Sequence, residues 1–277
     1  MLGRDVVEIF QDRGHEVTAF GHAGLDVTDG PRVDAVVSRL RPDAVVDCAA
    51  WTDVDAAESH EREAMAVNDT GAGLLAVAAG TVGAKIVYPS TDYVFDGQKR
   101  MPYLESDPVH PLSAYGRSKL GGETSVAVAN SRHLVVRTSW LFGTGGPNFI
   151  ETMLRLGAEQ PEVLVVSDQV GSPTYTRHFA AALALLAESE DYGIHHVAGG
   201  GSCSWFEYAQ EIFDQAGSET RVMAARTEML DRPAPRPAYS VLASEHPDPV
   251  VLPHWRAALA EYMAERERVV APARGPA

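Results

Sequence analysis

Short runs of aliphatic and β-branched residues alternate with amphipathic, helix-like stretches along most of the chain, and this alternation limits the possible folds. Repeated strand and helix signals are typical of βα units, which assemble into a parallel sheet with helices on its faces. The predicted strands are 16–20, 44–48, 85–88, 133–138, 163–167 and 194–197. The predicted helices are 4–13, 31–40, 56–80, 113–130, 148–159 and 175–189. We therefore predict an α/β fold with a doubly wound, mostly parallel sheet.

The pattern becomes irregular after about residue 200. Ser204 is a candidate N-cap for a helix that runs through Gln215. The proline-rich segment 232–237 predicts a stiff loop suited to lining a pocket. The last dozen residues, which end in 271–277, have the composition of a loose tail.

The first residues correspond to the inside of a glycine-rich turn. A doubly wound sheet normally opens with a buried strand, and Gly3 matches the last glycine of the G-x-x-G-x-x-G turn that follows it. The strand and the two earlier glycines are absent. A buried strand supplies about four apolar side chains, and the burial of each stabilises the fold by about 1.5–3 kcal/mol. The sum is comparable to the net stability of a whole domain, about 5–15 kcal/mol. We therefore expect the natural protein to start about a dozen residues earlier.

The charge balance and the cysteine count exclude several classes of protein. The 277 residues include 38 acidic and 23 basic side chains, and the formal charge of −15 disfavours nucleic acid as a partner. The charged N-terminus is not typical of a signal peptide, and no run of apolar residues is long enough for a membrane helix. The 2 cysteines, Cys48 and Cys203, are too few for a disulfide framework. These features predict a cytoplasmic protein with no membrane or nucleic-acid partner.

Tyr115 and Lys119 form the sharpest local signal, four residues apart at the start of a predicted helix. This spacing places both side chains on one helix face. The ammonium would stabilise a phenolate and lower the pKa of the tyrosine toward neutrality, which makes a competent general acid. The alternative is an ordinary solvated pair on a helix surface.

Polar residues follow two of the predicted strands, at the edge where open α/β sheets bind ligands. Strand 85–88 leads into Ser90 and Thr91, whose hydroxyls would hold a carbonyl oxygen near Tyr115. Ordinary turn chemistry is the alternative for both hydroxyls. Strand 44–48 leads into small residues that let a cofactor lie against the backbone, followed by Thr52 and Asp53 as candidate helix caps.

Taken together, these segments resemble the extended short-chain dehydrogenase/reductase superfamily and, within it, the dTDP-4-dehydrorhamnose reductases. Tyr-x-x-x-Lys at 115–119 identifies only the superfamily, whereas S-T-D-Y-V-F-D-G at 90–97 and D-Q-V-G-S-P-T at 168–174 are much narrower. The resemblance runs from Gly3 to about residue 262. It implies a Rossmann-type sheet, here without its first strand, and a smaller C-terminal substrate-binding lobe. On this basis residues 1–150 are the dinucleotide-binding part, and residues 151–277 complete the sheet and form the lobe.

The resemblance also implies roles for individual residues. Thr91, Tyr115 and Lys119 are the catalytic set: Tyr115 protonates the 4-keto oxygen of a sugar, Thr91 polarises it, and Lys119 tunes Tyr115 and holds the nicotinamide ribose. The implied substrate contacts, in addition to Thr91, are Tyr93, Trp140 and Arg236. The implied cofactor contacts, in addition to Tyr115 and Lys119, are Gly3, Asp26, Val27, Ala49, Ala50, Thr52 and Asn68.

The choice of cofactor stays open between NADPH and NADH. After strand 16–20 come Gly21 and His22, neither an acid that selects NAD nor an arginine for a 2′-phosphate. Magnesium binds some members of the family, but no ligand set for it is recognisable, and no residue is predicted as a metal ligand. The neighbouring pair His195 and His196 is expected to pack in the core or at an edge, on opposite faces of a strand. The family suggests a homodimer.

The resemblance implies reduction of dTDP-6-deoxy-L-lyxo-4-hexulose to dTDP-L-rhamnose. The related 4,6-dehydratases carry a glutamate where this chain has Tyr93, which disfavours elimination of water. Two alternatives remain, another nucleotide-sugar 4-ketoreductase or epimerase, and a non-catalytic NADP-binding regulatory subunit of the same fold. Retention of Thr91, Tyr115 and Lys119 argues against the regulatory subunit.

Overall fold

The computed structural model describes residues 1–270, with side-chain detail to residue 268. The α-helices are α1 Leu2–Asp12, α2 Gly30–Leu40, α3 Val54–Ala57, α4 Glu61–Met65, α5 Ala72–Thr81, α6 Ala114–Ala129, α7 Phe149–Glu159, α8 Thr176–Glu188, α9 Trp205–Ala216 and α10 Trp255–Val270. The strands are β1 Ala44–Val46, β2 Lys85–Thr91, β3 His133–Thr138, β4 Leu141–Phe142, β5 Glu162–Val166, β6 Val170–Gly171, β7 Thr174–Tyr175, β8 Gly193–His196, β9 Cys203–Ser204 and β10 Arg221–Ala225. None of the described helices is long and apolar enough to cross a membrane.

Strands β1, β2, β3 and β8 form one parallel sheet in that order, which confirms the predicted α/β fold. Every residue of β2 is buried, because helices cover both faces of the sheet. On one face α2, α5 and α6 pack on Ile86 and Tyr88. On the other face α1 and α8 pack on Val87. The alternation along β2 therefore divides its side chains between two apolar layers.

A second apolar cluster lies in the C-terminal half, where α7, α9 and α10 surround Phe142, Trp255 and Tyr262. Strand β5 pairs here with β10, so the predicted strand 163–167 exists but lies outside the central sheet. Ser204 caps α9 as predicted, within a full capping box that includes Glu207. Helix α10 extends to Val270, so the expectation of a tail is wrong for its first residues, and 271–277 lie outside the described residues.

Segment 16–20 is not a strand, contrary to the prediction. No described strand pairs with it, and Phe20 is 43% exposed. Strand β1 is an edge strand of the sheet, and its three residues are only half-buried. A β-strand is stabilised by hydrogen bonds to a neighbour, and hydrophobic alternation alone supplies no neighbour.

The predicted helix 56–80 is interrupted. Helices α3 and α4 are short, and a π-helical turn at Ala66–Gly71 joins α4 to α5. Asn68 lies in this turn and is fully buried, not facing water. A π-turn releases backbone groups from the regular helical hydrogen bonds, and such turns are common at functional sites.

Candidate active site

Thr91 is the last residue of β2, and the turn that follows it holds the hydroxyl in place. Thr91 Oγ1 accepts a hydrogen bond from the Tyr93 amide at 3.1 Å and donates one to Asp92 Oδ1 at 3.1 Å. Ser90 points the other way and donates to Glu123 Oε1 at 2.6 Å, inside a buried ion pair between Glu123 and Arg137. The Ser90 hydroxyl is therefore directed away from Tyr115, contrary to the expectation for Ser90. The Thr91 hydroxyl lies beside Tyr115 and can donate to a ligand if it exchanges its hydrogen bond to Asp92.

Helix α6 brings Tyr115 to Thr91. The Ser113 side chain caps this helix by accepting a hydrogen bond from the Gly116 amide at 3.1 Å. The Tyr115 hydroxyl then faces that of Thr91, and its ring meets the Tyr93 ring edge-on, with centroids 5.9 Å apart. The sequence prediction that these three side chains share one site is therefore consistent with the fold.

Burial raises the pKa of Tyr115 to about 12, an effect larger than the opposing influence of the Thr91 hydroxyl. The expected shift toward neutrality is wrong for the protein alone. The reason is that Tyr115 is desolvated while the Lys119 ammonium lies over the Tyr88 ring, 3.9 Å from its centroid. A tyrosine with this pKa stays protonated at neutral pH, which is the state that a proton donor requires.

Lys119 is buried next to an acid that the sequence analysis did not single out. Asp47 follows β1, is 4% exposed, and has one carboxylate oxygen with no hydrogen-bond partner among the described residues. Burial lowers the pKa of Lys119 to about 8, and the charge of Asp47 opposes this shift. Burial likewise raises the pKa of Asp47 to about 6 against the charge of Lys119. The two groups are therefore electrostatically coupled.

Asn68 connects the loop after β1 to α6. Its amide group accepts a hydrogen bond from the Trp51 amide at 2.8 Å and donates to the Trp51 carbonyl at 3.0 Å. It also donates to Ser118 Oγ at 2.9 Å. The backbone carbonyl of Asn68 accepts a hydrogen bond from the Tyr88 hydroxyl at 2.6 Å. The π-turn thus fixes the position of the loop and of the ring beneath Lys119.

Gly122 shows how tightly α6 packs on this turn. A Cβ at residue 122 would overlap the Asn68 carbonyl oxygen and the Tyr88 hydroxyl. A Cβ at Gly116 would overlap the Tyr93 carbonyl oxygen. Gly116 and Gly122 are therefore explained by the close approach of neighbouring atoms.

Trp140 lies beyond the end of β3 with an unusual backbone, φ +46°, which is uncommon for a residue with a bulky side chain. Its indole stacks on Trp205, with centroids 3.5 Å apart and an interplanar angle of 6°. The ring also covers Gly171, where a Cβ would be 2.6 Å from the indole nitrogen. Neighbouring structure therefore holds Trp140 in a strained conformation, which is typical of functional sites.

Arg236 belongs to the proline-rich segment and is paired with Asp55 of α3. Two guanidinium nitrogens contact the two carboxylate oxygens at 2.9 Å each, and Arg232 adds a third bond at 3.0 Å. Partial burial opposes the shift, but these hydrogen bonds lower the pKa of Asp55 to about 2. One carboxylate thus faces two arginines, which leaves an excess positive charge for an anionic ligand.

The family described as "RmlD substrate binding domain" matches residues 1–268. The chain belongs to this family. It is 45% identical over 271 residues to a protein of Streptomyces griseus named dTDP-4-dehydrorhamnose reductase, covering 94% of this chain and 89% of the relative.

Two solved structures of dTDP-4-dehydrorhamnose reductases are similar to this RmlD-type chain throughout. The protein of Clostridium acetobutylicum has a TM-score of 0.94 at 39% identity and covers 96% of both chains. The protein of Bacillus anthracis, in complex with NADP, has a TM-score of 0.92 at 39% identity and covers 95% of both chains.

The positions proposed for the cofactor in this RmlD-type chain lie around the end of β1. Gly3 is in the first turn of α1 beside Cys48, and Ala49 is partly exposed, as a surface that receives a ligand must be. Ala50 and Thr52 are exposed, and Asp53 rather than Thr52 caps α3. Strand β1 is paired with β2, whose last residue is Thr91.

Two further cofactor positions are on the loop before α2. The carboxylate of Asp26 binds the amide and hydroxyl of Thr28 at 2.9 and 2.8 Å. Val27 packs on Gly71 of the π-turn, where a Cβ would be 2.7 Å from its side chain. Both contacts shape the loop before α2.

The functional candidates that sequence reasoning missed are Asp47, Tyr88 and Asp92. Asp92 is buried beside Thr91, and burial raises its pKa to about 7. A carboxylate at a strand end, as in Asp47 and Asp92, is a signal that could have been followed. Tyr88 carried no such signal, because an aromatic residue in a strand normally indicates only a core.

The described residues do not support a magnesium-binding site. Within residues 1–270, one group of three His, Cys, Asp or Glu side chains brings its ligand atoms together, and this group is Asp191, His195 and His246. Two of its three ligands are imidazoles, whereas magnesium prefers oxygen.

Proposed function

We propose that this RmlD-type chain is an NADPH-dependent dTDP-4-dehydrorhamnose reductase that converts dTDP-6-deoxy-L-lyxo-4-hexulose into dTDP-L-rhamnose. The observation that carries the proposal is the meeting of the Thr91 and Tyr115 hydroxyls at the end of β2, with Lys119 buried one helical turn further on. A ketone oxygen placed between the two hydroxyls would receive a hydrogen bond from Tyr115, and one from Thr91 once that hydroxyl turns from Asp92 to the ketone.

A nicotinamide cofactor, held by Lys119 and by the loop after β1, would supply the hydride that adds to the ketone carbon. Tyr115 is protonated at neutral pH and donates its proton to the ketone oxygen as negative charge develops there. Thr91 stabilises the same oxygen by hydrogen bonding. Lys119 lies on the same helix face and stabilises the resulting phenolate of Tyr115, before that residue regains a proton from solvent.

The chain provides a suitable place for the dinucleotide. Within residues 1–270, the Lys119 ammonium has no hydrogen-bond acceptor, so it can bind ribose hydroxyls, and Ala49 and Ala50 leave the backbone after β1 accessible. Asn68 holds the neighbouring Trp51 backbone in position. The NADP bound to the similar Bacillus anthracis protein favours NADPH over NADH.

The proposed substrate contacts, in addition to Thr91, are Tyr93, Trp140 and Arg236. Tyr93 is adjacent to Tyr115, and Trp140 offers an aromatic face on which a sugar ring packs. Arg236 is suited to a pyrophosphate, because its planar guanidinium forms paired hydrogen bonds with oxyanions. A homodimer and a cytoplasmic location remain predictions from the resemblance and the composition.

The decisive experiment is NADPH oxidation by the purified chain with dTDP-6-deoxy-L-lyxo-4-hexulose. We expect turnover by the wild type and a loss of about 10²–10⁴-fold in kcat with Tyr115→Phe, because the variant lacks the proton donor. Tyr192→Phe is the matched control, since Tyr192 immediately precedes β8 and contacts Arg132 and Glu190. The control should keep full activity.

Other outcomes separate the alternatives. NADPH binding that raises Tm without any turnover would favour a non-catalytic binding subunit. A higher kcat/KM for another 4-keto nucleotide sugar would contradict the rhamnose assignment but not the reductase chemistry. A Tyr115→Phe variant that keeps most of its activity would overturn the proposed acid.

A further inference from the structure

A group of metal-ligand side chains lies far along the chain from the catalytic residues, at the edge of the central sheet formed by β8. Asp191 precedes this strand, His195 is within it, and His246 comes from the loop before α10. One ligand atom from each side chain lies within 4.8 Å of the other two. We propose that these three side chains form a binding site for a transition-metal dication, with Zn²⁺ as the best match.

The types of ligand determine the class of metal. Two imidazoles and one carboxylate are typical of Zn²⁺ and its neighbours, whereas Mg²⁺ and Ca²⁺ take mainly oxygen ligands. Bonds of about 2.1 Å at tetrahedral angles place ligand atoms about 3.4 Å apart. The observed spacing of up to 4.8 Å requires only small side-chain rotations to reach that geometry. Water would complete the coordination.

The hydrogen bonds of His195 leave one nitrogen available to a metal. Its Nε2 lies 2.8 Å from the Asp191 carbonyl oxygen, so this nitrogen carries the proton and Nδ1 carries the lone pair. Histidines that bind metals commonly donate their second N–H to a backbone carbonyl in this way. His195 is 6% exposed, which limits its freedom to turn away.

Asp191 and His246 are already in contact, with Asp191 Oδ2 and His246 Nε2 at 2.9 Å. The two imidazole rings are 5.3 Å apart at 45°. A metal at this position would replace the proton of His246 Nε2, and that proton would move to Nδ1. The weak hydrogen bond from the Asp248 amide to Nδ1, at 3.2 Å, would open in exchange.

Both loops are anchored, so the ligands are held near each other before a metal arrives. The Asp191 amide donates to Ser189 Oγ at 3.2 Å, and the His246 amide donates to Ser244 Oγ at 3.2 Å. Ser244 in turn donates to Glu105 at 2.6 Å. A metal would therefore tie the segment between Arg236 and α10 to the start of β8, which adds stability in proportion to its affinity.

The test uses the full chain without a histidine tag, stripped of metal with a chelator and titrated with ZnCl₂ and separately with CoCl₂. We expect one equivalent of Zn²⁺ to bind, visible absorption bands from the Co²⁺ form, and a rise in Tm of about 5 °C at saturation. Magnesium chloride should produce none of these changes.

His246→Ala and Asp191→Asn should each weaken Zn²⁺ binding at least tenfold and remove the rise in Tm, as judged against unchanged circular dichroism. His110→Ala is the matched control, because His110 is an exposed histidine elsewhere, and it should bind like the wild type. Failure of the wild type to bind Zn²⁺ at 100 µM or so would overturn the proposal. So would equal binding by the wild type and both ligand variants. Activity is not measured, so the outcome is independent of the proposed function.

Discussion

The ends of β1 and β2 lie side by side in the sheet, but different contacts hold them in place. Strand β2 is buried along its whole length, and its end is packed against α6, with Thr91 and Asp92 inside. Strand β1 has three half-buried residues and no described neighbour on its outer side. The loop after β1 depends instead on hydrogen bonds to three side chains, Asp47, Asn68 and the capping Asp53.

The two strand ends are therefore held in position by different kinds of interaction. At the end of β2 the backbone and side chains are fixed by close packing, so a small change in shape disturbs the fold. At the end of β1, where the cofactor is proposed to bind, the loop is fixed by directional hydrogen bonds, so a change there should affect binding more than the core. Three substitutions, in addition to the two experiments above, test this contrast.

Gly122→Ala is expected to have the largest effect. Its Cβ would overlap the Asn68 carbonyl oxygen and the Tyr88 hydroxyl, both of which are parts of the buried structure. Overpacking of this kind costs about 1–3 kcal/mol, and more where backbone must move. Chemical denaturation should show this loss, together with a lower kcat, because α6 carries Tyr115 and Lys119.

Gly80→Ala is the control for that substitution. Gly80 is also within a helix, and a Cβ there would meet the Ala129 carbonyl oxygen at an ordinary 3.5 Å. We expect unchanged or slightly greater stability, by about 0.5–1 kcal/mol, because alanine favours the helix. Equal stability of the two variants would contradict the close packing at residue 122.

Asn68→Ala should have an intermediate effect. It leaves the Trp51 amide and carbonyl without their partner, at a cost of about 1–3 kcal/mol. It should also raise the KM for NADPH more than it lowers kcat. Asn130→Ala is the matched control, since Asn130 is equally buried and binds the Ala84 carbonyl and the Arg132 amide. A rise in KM for both variants would mean that lost stability alone explains the result.

Asp47→Asn should have the smallest effect, a shift in the pH profile. Lys119, with its pKa lowered to about 8, loses its proton as the pH rises, and the Asp47 carboxylate favours the protonated form. Without that charge the pKa of Lys119 falls, so the alkaline limb of kcat/KM should move to lower pH. Asp43→Asn, on the exposed turn before β1, should leave the limb in place. A shift to higher pH would contradict the coupling.

Much of the sheet could be predicted because its strands are buried on both faces and therefore contain continuous apolar runs. Segment 16–20 has the same kind of composition. A strand also needs a neighbouring strand to pair with, and composition does not indicate whether one is present. The interruption of the helix at Asn68 could not be predicted from the sequence either. A π-turn frees backbone carbonyls, which need hydrogen-bond donors from elsewhere in the fold, and the donor to the Asn68 carbonyl is the Tyr88 hydroxyl.

The proposed catalytic set could be named from the sequence because Thr91, Tyr115 and Lys119 lie in short motifs with fixed spacing. The pKa of Tyr115 was not, since burial depends on residues distant in sequence. Pairs such as Asp55 with Arg236 join segments separated by 181 residues, and no local pattern indicates such a contact.

The parallel stack of Trp140 and Trp205 has an optical consequence. Two indoles at this separation share their electronic excitation, and the coupling gives a paired signal of opposite signs in near-ultraviolet circular dichroism. A sugar that displaces Trp140 would change this signal without any added label. The chain therefore carries an intrinsic spectroscopic reporter at the place where the nucleotide sugar is proposed to bind.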